Sequence, residues 1–136
     1  VLVSFIPMLM DTGGNCGSQS STLIIRGLAI DEIKFSDFFK VVFKEFRISI
    51  VVGIMLGIAN GIRIVLLNHD VYLAFVVSAS IVVTVMISKF VGCVLPIVAK
   101  RLKMDPAIMA APLITTIVDT LAIMVYFSIA SQIFNL

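Results

Sequence analysis

Charged residues are scarce in this chain of 136 residues. They make up 13% of the sequence and hydrophobic residues 60%, against about 25% and about 45–50% in an ordinary soluble domain. A domain this small leaves much of its surface exposed, so it cannot hide that much apolar surface from water. Ten basic and eight acidic residues give a net charge of +2, which provides no basic field for nucleic acid. These shortages exclude a soluble globular domain, a disordered chain and a nucleic-acid binder, and they leave a membrane protein.

Cysteine is also scarce. Cys16 and Cys93 lie in unrelated segments, and two thiols do not make a disulfide framework, so we interpret both as small apolar packing residues. The chain begins at Val1 without an initiator methionine, a basic n-region or a small-residue cleavage site. We therefore expect a piece of a longer polypeptide that starts within an apolar helix.

Long apolar segments dominate what is present. A helix needs about 20 apolar residues to cross roughly 30 Å of hydrocarbon. Three segments reach this length, at residues 48–67, 71–99 and 107–135. A fourth span is predicted over 1–30, where Gly13, Gly14 and Gly17 weaken the helix, and we expect it to be broken or closely packed there. The predicted fold class is an all-α, polytopic membrane helix bundle.

The connectors between these spans differ in charge. Lysine and arginine are concentrated in 31–47 and 100–106, whereas 68–70 contains neither. Because basic connectors tend to stay on the cytoplasmic side, 31–47 and 100–106 are predicted to be cytoplasmic, and 68–70 and the C-terminus to lie outside. The expected location is the cell membrane, with several passes through it.

The connector 31–47 has a helical stripe of its own. Phenylalanines and valines recur there at three- and four-residue spacing, and its charged residues, Glu45 among them, fall elsewhere. We interpret it as an interfacial helix with its apolar face in the lipid boundary and its lysines toward the headgroups. A helix docked on a partner domain is the alternative.

One carboxylate lies deep in an apolar span. Asp119 is about a dozen residues into 107–135, or about 18 Å at 1.5 Å per residue, near the midplane. An ionisable group in hydrocarbon indicates a functional site, the alternative being a carboxylic acid kept neutral by burial. Pro112 is expected to free a backbone carbonyl near Ile108. The threonine hydroxyls between Pro112 and Asp119, the freed carbonyl and the Asp119 carboxylate are all oxygen ligands, which hard cations require.

Other polar residues lie inside the spans. Asp11, Asn15 and Gln19 stand at i, i+4 and i+8 in the first span, where cation ligation and polar helix packing both stay open. Lys89 either pairs with a carboxylate inside the bundle or reaches the inner interface, while Arg63 is expected to snorkel outward. We interpret Asn60 as a packing polar group between helices and His69 as a solvated loop residue.

Two motifs resemble a known family. The stretch PMLMDTGGNCGSQSST at 7–22, followed by LIIRG, resembles the signature in the second membrane helix of MgtE-type magnesium channels. MDPA at 104–107 and APLITTIVD at 111–119 resemble the last membrane helix of the family. The resemblance implies five helices per protomer, of which four are visible here, and a homodimer with its pore along the dimer axis. Many members also carry cytoplasmic magnesium-sensing domains, and none appears here.

The resemblance also implies roles for single residues. Asp119 would be the pore carboxylate that holds Mg²⁺ with most of its water shell. Gly14, Asn15 and Gly17 would line the facing wall, and Ala111 and Thr115 would offer oxygens. The full predicted set of pore-lining or supporting residues is Asp11, Gly14, Asn15, Gly17, Gln19, Ala111, Thr115 and Thr116.

The expected function is therefore a channel that conducts hydrated Mg²⁺, with other divalent cations as further cargo. The alternative is a secondary magnesium transporter coupled to Na⁺ or H⁺, in which Asp119 or Asp11 binds the coupling ion. Two further hypotheses are an intramembrane aspartate enzyme, which needs two carboxylates that share a proton, and a purely structural membrane subunit, which needs no functional carboxylate. We expect no enzyme activity, and the partners are Mg²⁺, the lipid bilayer and a second copy of the chain.

Overall fold

The computed structural model describes residues 2–30, 35–105, 108 and 111–134. Four long helices make up most of this part of the chain: α1 (Ile6–Ala29), α2 (Phe38–Asn68), α3 (Val71–Arg101) and α4 (Ala111–Phe134). Short 3-10 turns precede α1 and α2, at Leu2–Phe5 and Phe35–Asp37. The predicted all-α class is confirmed.

Three of the described helices are long and apolar enough to cross a membrane. They are α2, α3 and residues 112–134 of α4, whose mean hydropathies are 2.3, 2.3 and 1.9. α1 is not among them, although its 24 residues would span about 36 Å at 1.5 Å per residue, because the polar run from Asp11 to Thr22 lowers its hydropathy. The described chain is thus consistent with a helical membrane bundle in which α1 is the unusual member.

α2 continues across a boundary that the sequence pattern places at 47/48. The predicted interfacial helix and the following span form one helix of 31 residues, since neither proline nor any other helix-ending signal occurs between them. A helix of this length measures about 46 Å. It exceeds the roughly 30 Å of hydrocarbon, so the helix either tilts or extends beyond the apolar layer. Residues 31–34 of the predicted interfacial helix lie outside the described part.

α3 is the central helix of the bundle. It packs against α1, α2 and α4, and half of its most apolar window is buried, compared with 17% in α2 and 28% in α4. Val76, Val77, Ile81 and Val85 are completely buried on it. Its N-terminus is capped by Asp70, whose side chain accepts a hydrogen bond from the amide of the third helical residue at 3.0 Å.

α2 docks on α3 through a buried stripe that begins at Glu45 and continues with small residues, and we call it the small-residue stripe. The stripe repeats every four residues and consists of Glu45, Ser49, Gly53 and Gly57, all of them buried. A Cβ on Gly57 would lie 3.2 Å from the carbonyl oxygen of Ser78, and one on Gly53 would lie 3.2 Å from Cα of Val82. The hydroxyl of Ser78 donates to the Gly57 carbonyl at 2.8 Å. Small residues therefore let the two backbones approach closely enough for a direct hydrogen bond.

α1 is closely packed at its glycines and is not broken there. It runs as one helix from Ile6 to Ala29. A Cβ on Gly92 of α3 would overlap the carbonyl oxygen of Gly17, and a Cβ on Gly17 would lie 2.8 Å from Cγ2 of Ile114. Of the two expectations for this segment, close packing is the one that the structure shows.

Candidate functional site

Asp119 lies in the first half of α4 and is half-buried. Its Oδ1 atom is shielded from solvent, and it has no hydrogen-bond partner among the residues that the structure describes. A buried carboxylate oxygen without a partner carries a large desolvation cost. The site therefore favours whatever supplies that partner, either a proton or a cation with its water.

Two threonines beside Asp119 present oxygen lone pairs outward. The hydroxyl of Thr116 donates to the carbonyl of Pro112 at 2.9 Å, and that of Thr120 donates to the carbonyl of Thr116 at 3.2 Å. Both side chains are exposed. Because each hydroxyl proton is used within the helix, the remaining capacity of each oxygen is that of an acceptor, which suits a cation or its hydration water.

Pro112 lies in the first described turn of α4. The amide of Ile108 donates to the carbonyl of Asp105 at 3.1 Å. Residues 106, 107, 109 and 110 are not described, so the predicted start of this span at 107 and the carbonyl expected to be freed by Pro112 remain untested. Ala111 opens the described part of α4, but its side chain is not among the described ones.

α1 runs antiparallel to α4 alongside this site. A Cβ on Gly13 would lie 2.8 Å from Cγ1 of Val118, and one on Gly14 would lie 3.4 Å from Cγ2 of Thr115. Together with the approach of Gly17 to Ile114, these contacts show that residue numbers rise along α1 as they fall along α4. By this register, Asp119 lies at the depth of the α1 turn that contains Asp11.

The predicted α1 residues divide into two groups. Asp11, Asn15 and Gln19 are exposed and share one face of the helix, whereas Gly14 and Gly17 are buried in helix contacts. The structure thus brings Gly14 against Thr115, and it leaves the polar stripe open on the outside of the described chain. A role of either group in lining a pore stays a prediction.

A second polar cluster lies within the bundle where α1, α2 and α3 meet. Nζ of Lys89 is 3.6 Å from Oε2 of Glu45, and both side chains are about nine-tenths buried. The hydroxyl of Ser20 donates to Oε2 of Glu45 at 2.7 Å, and Nζ of Lys89 donates to the same hydroxyl at 3.4 Å. Of the two alternatives for Lys89, the structure shows the one in which it pairs with a carboxylate.

The sequence pattern placed Glu45 off the apolar stripe of the predicted interfacial helix without indicating what it contacts. Glu45 is buried because it begins the small-residue stripe of α2, in register with Ser49 and Gly53. That four-residue spacing is the signal by which the sequence could have revealed it. A second signal is Lys89 itself, because a lysine within an apolar span needs a counter-charge.

An open cavity joins this cluster to the polar face of α1. Its lining consists of Asn15, Ser18, Gln19, Thr22, Leu23 and Lys89. Amide- and hydroxyl-bearing side chains of α1 therefore share a cavity with the side chain of Lys89. In the described part of the chain, no three His, Cys, Asp or Glu side chains come together as a possible metal cluster.

The remaining polar predictions have mixed outcomes. Asn60 is half-buried and donates to the carbonyl of Leu56 at 2.9 Å within its own helix, so its role as a packing polar group between helices stays a prediction. Arg63 is exposed near the end of α2, with Nη2 3.9 Å from Sδ of Met8. Cys16 and Cys93 are buried and not disulfide-bonded, in agreement with their interpretation as packing residues.

These features define the class of protein: an apolar helical bundle of the membrane type, with a carboxylate in a span and a polar face on a neighbouring helix. Residues 6–129 match the model of the MgtE family, which is described as a divalent cation transporter. The chain belongs to the MgtE family.

Three relatives bear the name magnesium transporter MgtE. The chain is 38% identical to the protein of Bacillus subtilis (strain 168) over 96% of its own length, and 36% identical to that of Thermus thermophilus over 95%. It is 30% identical to the protein of Enterococcus faecalis over 97%. The matched region covers only 28–29% of each relative.

Proposed function

We propose that this chain is a membrane channel for Mg²⁺, through which the hydrated ion passes beside Asp119. Membership of the family supports transport of a divalent cation, and the names of the relatives support magnesium as that cation. The observation that carries the proposal is the Oδ1 atom of Asp119, which is buried in a span without a hydrogen-bond partner in the described chain.

The proposed mechanism depends on the chemistry of hydrated Mg²⁺. Mg²⁺ dehydrates reluctantly and prefers octahedral oxygen coordination with several waters retained. A carboxylate such as Asp119 and the outward oxygens of Thr116 and Thr120 hold such an ion through its water. Weak holding of this kind lets the ion leave as well as enter, as conduction requires.

A homodimer completes the proposed site. One carboxylate per chain leaves the two positive charges of Mg²⁺ half compensated, and a two-fold axis supplies the second. The exposed stripe of Asp11, Asn15 and Gln19 supports a pore at that axis, because an open polar face on a membrane helix needs water or another polar surface. The proposed orientation places 31–47 and 100–106 in the cytoplasm, and 68–70 and the C-terminus outside.

Liposome flux measurements test the channel. We expect purified, reconstituted protein to admit Mg²⁺ down its gradient, and Asp119→Ala and Asp119→Asn to reduce this flux at least tenfold, because each removes the charge opposite the ion. Asp37→Asn, at the start of α2, is the matched control and should leave the flux unchanged. Conduction by Asp119→Ala equal to that of the parent would show the proposal to be wrong.

The same liposomes separate a channel from a coupled transporter. With equal Mg²⁺ on both sides and an imposed Na⁺ or H⁺ gradient, a channel gives no net Mg²⁺ movement once the membrane potential is clamped. Net movement under those conditions would show coupling to the imposed ion and would replace the channel mechanism with ion exchange.

A further inference from the structure

The cluster of Ser20, Glu45 and Lys89 places two opposite charges inside the helix bundle. It lies where α1, α2 and α3 meet, and the Lys89 side chain lines a cavity together with Asn15 and Gln19 of α1. The cavity therefore connects a fixed positive charge with the polar face that the proposed channel uses.

We propose that Glu45 is a positioning residue that holds and neutralises the Lys89 ammonium, and so keeps an uncompensated positive charge out of the cation pathway along α1. This inference rests on the proposed function. Its basis is the short path of contacts from one charge to the other: Lys89 to Glu45 at 3.6 Å, with the Ser20 hydroxyl bonded to both.

Glu45 compensates the charge of Lys89 and not that of its neighbour along the chain. In a low-dielectric interior, a lone ammonium acts on a divalent cation over a long range. Lys44 precedes Glu45 but is exposed, so it does not face the cluster. Without Glu45, the Lys89 ammonium keeps the Ser20 hydroxyl at 3.4 Å but has no counter-charge there. Its side chain lines the same cavity as Asn15 and Gln19, where an uncompensated positive charge repels Mg²⁺.

The Glu45→Gln variant tests the proposal in reconstituted protein. Glutamine keeps the size of the side chain and removes its charge, so we expect the half-saturating Mg²⁺ concentration to rise about tenfold, by repulsion between the ammonium and the divalent ion. The double variant Glu45→Gln/Lys89→Met removes both charges and should return to within about twofold of the parent value. Lys44→Gln is the control and should not change half-saturation.

A merely structural pair gives a different pattern. It predicts that Glu45→Gln lowers thermal stability while the folded protein keeps the half-saturating Mg²⁺ concentration of the parent, and this result overturns the proposal. If Glu45→Gln yields no folded protein, Glu45→Asp carries the test, since the shorter carboxylate holds Lys89 less closely and should raise half-saturation about threefold. An unchanged value in that variant is equally contradictory.

Chemical labelling gives a readout that does not depend on transport. Lys89 in the parent protein should resist a water-soluble amine reagent, and in Glu45→Gln it should react through the cavity, as detected by mass spectrometry of the peptide that contains it. Protection that persists in Glu45→Gln overturns the inference. A parent protein that moves no Mg²⁺ contradicts the proposed function, and the labelling result still decides whether Glu45 holds Lys89.

Discussion

At the scale of single residues, Lys89 and Asp119 differ in how their charges are compensated. Lys89 meets Glu45 and Ser20 within the bundle, so its charge is compensated inside the chain. Asp119 keeps an oxygen that no group in the described chain bonds. Because both groups are costly to desolvate, Asp119 needs a partner from outside the described chain, and in the proposed channel that partner is the hydrated cation.

The crossing of α1 and α3 allows a test of close packing at one residue. We expect Gly92→Ala to destabilise the protein by about 1–3 kcal/mol, because its Cβ would overlap the carbonyl oxygen of Gly17. Thermal unfolding in detergent measures the change. Gly14→Ala is the matched control, since its Cβ would meet Thr115 at 3.4 Å, an ordinary contact. Equal stabilities of the two variants would contradict the packing described here.

Sequence reasoning located some of the site residues and missed another for a physical reason. A carboxylate in an apolar run is visible from composition alone, and the four-residue spacing of Asp11, Asn15 and Gln19 predicted the face that they share. Glu45 was hidden because it lies beside exposed Lys44 in a segment with an amphipathic pattern. Its register with the glycines of α2, and the need of Lys89 for a counter-charge, are the signals that it turns toward α3.

At the scale of helices, α2 combines two surfaces of different kinds. Its small-residue stripe is buried against α3, whereas Phe39, Phe43 and Met55 are exposed by 82%, 62% and 65%. A helix with large apolar residues outward and small ones inward suits lipid on one side and close helix contact on the other. This pattern inverts that of a soluble helix, whose large apolar residues face the core.

Enlarging one member of the stripe should detach α2 from α3. In Gly57→Leu, the new side chain begins 3.2 Å from the carbonyl of Ser78 and displaces the hydroxyl that bonds the Gly57 carbonyl. We expect the midpoint of thermal unfolding to fall on the order of 5 °C or more. Met55→Leu, on the exposed side of the same helix, should change it little. A normal midpoint for Gly57→Leu would mean that this stripe is not the docking surface.

The presence of the apolar spans was more predictable than the ends of the helices that contain them. Apolar runs identified the spans of α2, α3 and α4, because the bilayer imposes a minimum length. The start of α2 was not predictable from hydrophobicity, since the amphipathic turns and the apolar turns form one helix without a residue that interrupts it. The glycines of α1 were ambiguous for a similar reason: they weaken an isolated helix, but here their lack of side chains gives α1 close contact with two neighbours.

At the scale of the whole molecule, the outside of the bundle is divided between apolar and polar faces. Much of α2 presents large apolar side chains, while α1 presents Asp11, Asn15 and Gln19. The apolar face suits lipid tails, whereas the polar face is stable in a membrane only against water or polar groups. This asymmetry supports a second copy of the chain on the α1 side, with water and Mg²⁺ between the copies.

Crosslinking tests that arrangement. In a background in which Cys16 and Cys93 are replaced by alanine, Asn15→Cys places a thiol on the polar face, and Met55→Cys places one on the apolar face. We expect a short bismaleimide to link two copies through the thiol at position 15 and not through that at position 55, because only the first faces the proposed axis.

Electrophoresis of the treated, reconstituted protein gives the readout, with the amount of crosslinked dimer compared at low and high protein-to-lipid ratios. A specific dimer gives the same linked fraction at both ratios, whereas chance collisions become rarer on dilution in lipid. If no crosslinked dimer forms through the thiol at position 15, or if both positions crosslink equally, the proposed dimer axis beside α1 is wrong. Asp119 would then have no second carboxylate opposite it, and conduction would have to proceed through a single chain.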